Sequence, residues 1–132
     1  MLSEFNFLKD GATVVGHSVG ATILLHTLAD ERPTITPAAI VLIAAPFIGK
    51  GGWPSDDVDE RANLPDRLPK GVPVLLYHGM DDQTVPVEHV QLYAKAIPQA
   101  IVRTLVHRDH QLNDDLREVA NDVRSLPTFR RR

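Results

Sequence analysis

The sequence contains no cysteine. Disulfides, zinc–thiolate centres and a thiol nucleophile are therefore excluded. Long apolar runs are also missing. The stretch from Ala38 to Phe47 is the longest, and it is too short to cross a bilayer as a helix. Positive charge is not in excess: 14 Lys and Arg face 17 Asp and Glu, for a formal net charge of −3. That argues against nucleic acid as the main partner, since phosphate binding needs a basic surface. The basic run Arg130–Arg132 reads as a solvated tail. The N-terminal residues MLSEFNFLKD mix both charge signs with short apolar stretches, which is not a secretory signal. There is no internal repeat and no low-complexity segment. The expectation is one domain over residues 1–132, cytoplasmic and without membrane contact.

What is present is an alternation of strand-like and helix-like stretches, the pattern of an α/β fold with a parallel sheet flanked by helices. Four strands are predicted, over Ala12–Gly16, Ala39–Ala45, Val72–Tyr77 and Ile101–Val106. The second and third are apolar on both faces, as buried parallel strands are. Arg103 and Thr104 place the fourth nearer a sheet edge. A helix is expected from Val19 to Ala29, with Ala21, Leu24, Leu25 and Leu28 at i, i+3, i+4, i+7. A second runs from Val87 to Ile97 after Pro86. A third is expected over Asp114–Leu126, capped by Asn113, with Leu116, Val119, Val123 and Leu126 inward. Residues 46–69, rich in glycine, proline and acidic residues, read as a long loop and short lid.

The strongest local signal is Gly16-His17-Ser18-Val19-Gly20, which fits G-x-S-x-G between a strand and a helix. Ser18 then occupies a strained turn with its hydroxyl raised above the sheet, and side chains two residues to either side would collide. The helix that follows aims its positive end at the site, and the Val19 N–H is placed to donate to an oxyanion. A serine hydroxyl needs a base, and the base needs a carboxylate to orient it. Of six histidines, His107 and His110 lie in the loop after the last strand, at the same sheet end as Ser18. His110 is favoured because the loop needs a few residues to bend back over the site. The carboxylate is sought in His78-Gly79-Met80-Asp81-Asp82-Gln83-Thr84-Val85-Pro86, where Asp81 and Asp82 compete. The chain order Ser, Asp, His suits this fold.

Three segments, VVGHSVGA, HGMDDQTVP and RDHQLNDD, resemble the α/β-hydrolase superfamily of serine hydrolases, and within it the retinoblastoma-binding protein 9 group. The resemblance runs from about Ala12 to Leu126 and implies Asp82 as the acid, His110 as the base and Ser18 as the nucleophile. A glycine often precedes the histidine in such proteins; Asp109 stands there in this chain. The resemblance also implies several strands ahead of the elbow, where this chain has eleven residues before Ala12. The chain is thus expected to be a C-terminal portion of such a domain, lacking the loop that carries the second oxyanion donor. Loss of one donor costs about 100–1,000-fold in rate.

The function expected is hydrolysis of a small ester or thioester through an acyl-enzyme, with a small acyl compound as partner and no cofactor or metal. Acyl transfer stays open. Trp53 and Phe47 either line an acyl pocket or belong to the core under their loop. The alternative is a catalytically silent fragment that acts in interaction or self-association. In both readings the exposed edge of the elbow strand offers a route to homo-oligomers.

Overall fold

The structure, a computed structural model, describes residues 12–31, 37–49, 51–54 and 68–126. Its sheet has four strands among the described residues, β1 (Thr13–His17), β2 (Ala39–Ile43), β3 (Val74–Gly79) and β4 (Ile101–Leu105), in the order β1-β2-β3-β4. All neighbours are parallel, with Val14 beside Ile40, Val41 beside Leu75, and Leu76 beside Val102. Every residue of β2 and β3 is buried, which explains their uninterrupted apolar sequence, while β4 is largely exposed at its edge.

Among the described residues three α-helices accompany the sheet: α1 (Val19–Glu31), α2 (Glu88–Ala96) and α3 (Arg117–Arg124). Alternation along the strands divides the core in two. Val14, Ile40, Leu42, Val74 and Leu76 pack with Leu24, Leu25 and Leu28 of α1 and with Val90 and Tyr93 of α2. Val41, Ile43, Leu75 and Tyr77 face the other way, against Leu112 and Val119 of the C-terminal segment. Burial of each large aliphatic side chain contributes roughly 1.5–3 kcal/mol. On the second face, Tyr77 donates its hydroxyl to Asp122 at 2.9 Å, and Arg103 grips the same carboxylate at 2.9 and 3.2 Å. This ties β3, β4 and α3 together.

The C-terminal expectation needs correction. The helix begins at Arg117, and Asn113 does not cap it. Leu112, Asn113 and Asp114 instead form a single left-handed turn, with φ of 55°, 56° and 57°. Local hydrogen bonding by Asp and Asn side chains won over helix formation there. Leu116 is consequently 51% exposed rather than inward. The expected lid falls mostly outside the described residues, at 50 and 55–67. The flanking part is a compact loop in which Trp53 N–H donates to the Phe47 carbonyl and Gly49 N–H to the Trp53 carbonyl.

Candidate active site

Parallel strands place all their C-terminal ends at one rim of the sheet, and the loops leaving β1, β3 and β4 meet there. The first is the elbow. Ser18 has φ of 56°, a conformation L-residues rarely adopt, which roughly costs 1–2 kcal/mol. Its N–H donates to the Ile43 carbonyl at 2.8 Å and its carbonyl accepts from Ala21 N–H at 3.0 Å. The turn is thus held by the sheet on one side and by α1 on the other. Gly16 is required by close approach: a Cβ there would lie 2.6 Å from the Ala21 Cα. Gly20 is not, for a Cβ there would meet nothing within 4 Å. The symmetric collision expected from the motif therefore holds for the first glycine alone. Val19 lies in the first turn of α1, where backbone N–H groups have no partner within the helix, and it is 53% exposed.

The second loop leaves β3 at Gly79. Asp82 Oδ1 accepts the N–H groups of Thr84 and Val85 at 2.8 and 2.7 Å, and its side chain is fully buried. Burial pushes the carboxyl pKa up, but the hydrogen bonds from His110, Val85 and Thr84 outweigh this and hold it below the ordinary value. His78 lies beneath, 0% exposed, with Nε2–H donating to the Val85 carbonyl at 2.7 Å and lying 3.3 Å from Asp82 Oδ2. Its Nδ1 is buried without a partner. Burial lowers the His78 pKa, so the ring stays neutral with its proton on Nε2.

The third loop follows β4. His110 Nδ1–H donates to Asp82 Oδ2 at 2.7 Å, and His110 Nε2 lies 2.9 Å from Ser18 Oγ. The three residues singled out in the sequence are thus brought into one continuous line. Asp81 and His107 are not part of it: they face each other at 3.9 Å, both largely exposed. Arg108 braces the far side of the loop, donating to the carbonyls of Leu112 and Asp115 at 3.3 and 3.1 Å and to Glu118 at 2.6 Å.

Phe47 and Trp53 sit on the loop after β2. Phe47 meets Tyr93 edge-on at 5.0 Å, its N–H donates to His89 Nδ1 at 2.8 Å, and Trp53 meets the His89 ring at 5.5 Å. The preceding Pro46 carbonyl accepts both Thr22 Oγ1–H and the Tyr93 hydroxyl at 2.7 Å. Burial raises the Tyr93 pKa to about 12, which keeps it a donor.

Sequence reasoning missed a contact to His110. His17 Nε2–H donates to the His110 backbone carbonyl at 2.8 Å, with the two rings 4.8 Å apart. A polar residue inside the elbow, on the strand face shared with Ile43, was the available signal. A cleft of about 340 Å³ opens beside it, lined by Val15, His17, Ile43, Gln111, Asp114 and Leu116. Among the described residues no cluster of side chains could hold a metal ion, and no helix is long and apolar enough to cross a membrane.

Comparison with solved structures shows where this fold recurs. The chain is similar to the esterase RhEst1 from Rhodococcus sp. ECU1013, with a TM-score of 0.71 and 19% identity over 90% of this chain and 67% of that one. It is similar to Est1E from Butyrivibrio proteoclasticus, with a TM-score of 0.64 and 19% identity over 89% and 59% of the two chains. The esterase domain from a Rhodothermus marinus protein gives a TM-score of 0.54 and 26% identity, over 76% of this chain and 51% of that one. The chain thus spans about half to two thirds of the length of these structures. No curated protein matches the sequence. The family model for serine hydrolases matches residues 3–115, from ahead of the elbow to beyond His110, and on that match the chain belongs to the serine hydrolase family.

Proposed function

We propose that this chain hydrolyses small carboxylic esters or thioesters through an acyl-enzyme on Ser18. The observation that carries the reading is the unbroken line from Ser18 Oγ to His110 Nε2, 2.9 Å, and from His110 Nδ1 to Asp82 Oδ2, 2.7 Å. A hydroxyl is a poor nucleophile unless its proton has somewhere to go. Here His110 Nε2 takes that proton as Oγ attacks the acyl carbonyl. Asp82, held ionised by its hydrogen bonds, fixes the tautomer and steadies the imidazolium that results. The Val19 N–H at the start of α1 receives the developing oxyanion. His110 returns the proton to the departing alcohol or thiol. A water molecule, deprotonated by the same nitrogen, then releases the acid and restores Ser18. The fold shared with the two esterases and the esterase domain points the same way. The motifs around Ser18, Asp82 and His110 support a place in the retinoblastoma-binding protein 9 group of the family.

A fluorophosphonate probe and a p-nitrophenyl ester test this together. Covalent labelling and hydrolysis should both vanish in Ser18→Ala. Hydrolysis that persists unchanged in the variant would remove Ser18 as the nucleophile. A second reading, a catalytically silent interaction module, draws on the exposed apolar residues Val15, Val19 and Ile23 around the elbow. It is favoured if the folded chain is neither labelled nor active.

A further inference from the structure

We propose that Asp109, together with Asn113, is a positioning residue for His110: the two side chains clasp the loop into the left-handed turn that presents the imidazole to Ser18. The proposal rests on the role of His110 given above and goes on to say what holds that histidine in place.

The loop has an unusual backbone. Leu112, Asn113 and Asp114 follow His110 with φ of 55°, 56° and 57°, and none of them is a glycine. A run of left-handed L-residues does not persist unless its surroundings over-determine it. One restraint is Leu112, which is fully buried against Val41, Ile43, Leu75 and Tyr77. Burial does not explain the rest, because Asp109 and Asn113 are both exposed.

Hydrogen bonds supply the second restraint. Asp109 Oδ1 accepts the Gln111 N–H at 3.0 Å and the Asn113 N–H at 2.7 Å. Asn113 Oδ1 accepts the Asp109 N–H at 3.0 Å in return. Asn113 Nδ2–H donates to the His107 carbonyl at 2.9 Å. These bonds begin and end within residues 107–113 and close around His110 without touching Ser18 or Asp82. An acceptor at 109 satisfies amides that a left-handed turn turns inward, and asparagine is among the few residues that tolerate such a φ. The carboxylate at 109 thus holds the turn that carries His110.

The test is a graded series at Asp109, read by esterase kinetics and fluorophosphonate labelling of the folded chain. Asp109→Ala should lower kcat and the labelling rate by about 10- to 100-fold with KM nearly unchanged, because a base displaced by a fraction of an ångström loses the proton-transfer geometry. Asp109→Asn keeps the acceptor oxygen and should restore wild-type kcat to within about threefold; Asp109→Ser, a weaker acceptor, should fall between them. Full activity in Asp109→Ala overturns the proposal. So does a loss in Asp109→Asn equal to that in Asp109→Ala, since charge rather than turn geometry would then be at work, or a loss borne by KM. If Asp109→Ala fails to melt cooperatively, the order of the Asn and Ser variants decides. A wild-type chain that the probe does not label overturns the Ser18 reading itself; a labelled wild type matched by Asp109→Ala overturns this inference alone.

Discussion

Gly79 and Asp109 meet backbone against backbone: a Cβ placed on Gly79 would lie 2.5 Å from the Asp109 carbonyl oxygen and 2.3 Å from that of Arg108. Gly79 ends β3 and opens the loop of Asp82, while Asp109 immediately precedes His110. The absence of one side chain is therefore what lets the loops of Asp82 and His110 touch. We expect Gly79→Ala to fold with a loss of roughly 1–3 kcal/mol. Its turnover should fall further than that loss explains, because the loops are driven apart at the Asp82–His110 bond. Denaturant melts alongside ester kinetics check this, and an active, fully stable variant would show that the loops yield without cost.

The competition between the two aspartates gives a second test. Asp82 is bonded to His110, whereas Asp81 is exposed and faces His107 at 3.9 Å. Asp82→Asn should reduce kcat on the order of 10,000-fold, as an amide cannot steady the imidazolium. Asp81→Asn should change it little. Equal losses, or the reverse order, would mean that the line of contacts does not carry the reaction.

His78 predicts how stability depends on pH. Burial lowers its pKa from the ordinary 6.5, and its partnerless Nδ1 cannot take a proton without cost. The unfolded chain binds a proton near pH 6.5 that the folded chain refuses. Stability is thus intact above about pH 6.5 and declines as the pH falls from there toward the lowered value, by up to about 1.4 kcal/mol per pH unit. His89, also buried with a lowered pKa, adds in the same direction. Urea melts near pH 7.5 and 5.5 should show the loss, and His78→Gln should reduce it. A pH effect identical in the variant would place the proton uptake elsewhere.

Self-association is the fourth expectation. In the described sheet β1 has a neighbour on one side only, and Val15 and Ile23 are 55% and 48% exposed. Apolar surface beside a strand edge favours pairing with another chain. Sedimentation at micromolar concentration should reveal association that Val15→Lys weakens. A monomer at every concentration would dispose of the idea.

Much of this was legible because it depends on short-range signals. The apolar runs of β2 and β3 could belong only to strands covered on both faces, and the Ser18 motif announced its own strand–turn–helix setting. Which loops share a sheet end put Ser18, His110 and the Asp81–Asp82 pair at one place, and the choice of Asp82 came from the resemblance to α/β-hydrolases. The turn at Leu112–Asp114 was hidden because Asn113 reads equally well as a helix cap, and only the position of Leu112 in the core decides between them. His17, inside the elbow, gives no local sign of its partner. It reaches the backbone of His110, a contact between residues 93 apart that no local pattern encodes.

The amide of Ser18 is the last rung of the β1–β2 ladder, through its bond to the Ile43 carbonyl. Its hydrogen therefore exchanges with solvent only when that end of the sheet opens, so the protection of one amide reports on both. The backbone of Ser18 is thus tied to the end of the buried strand β2, although its hydroxyl stands at the rim of the sheet.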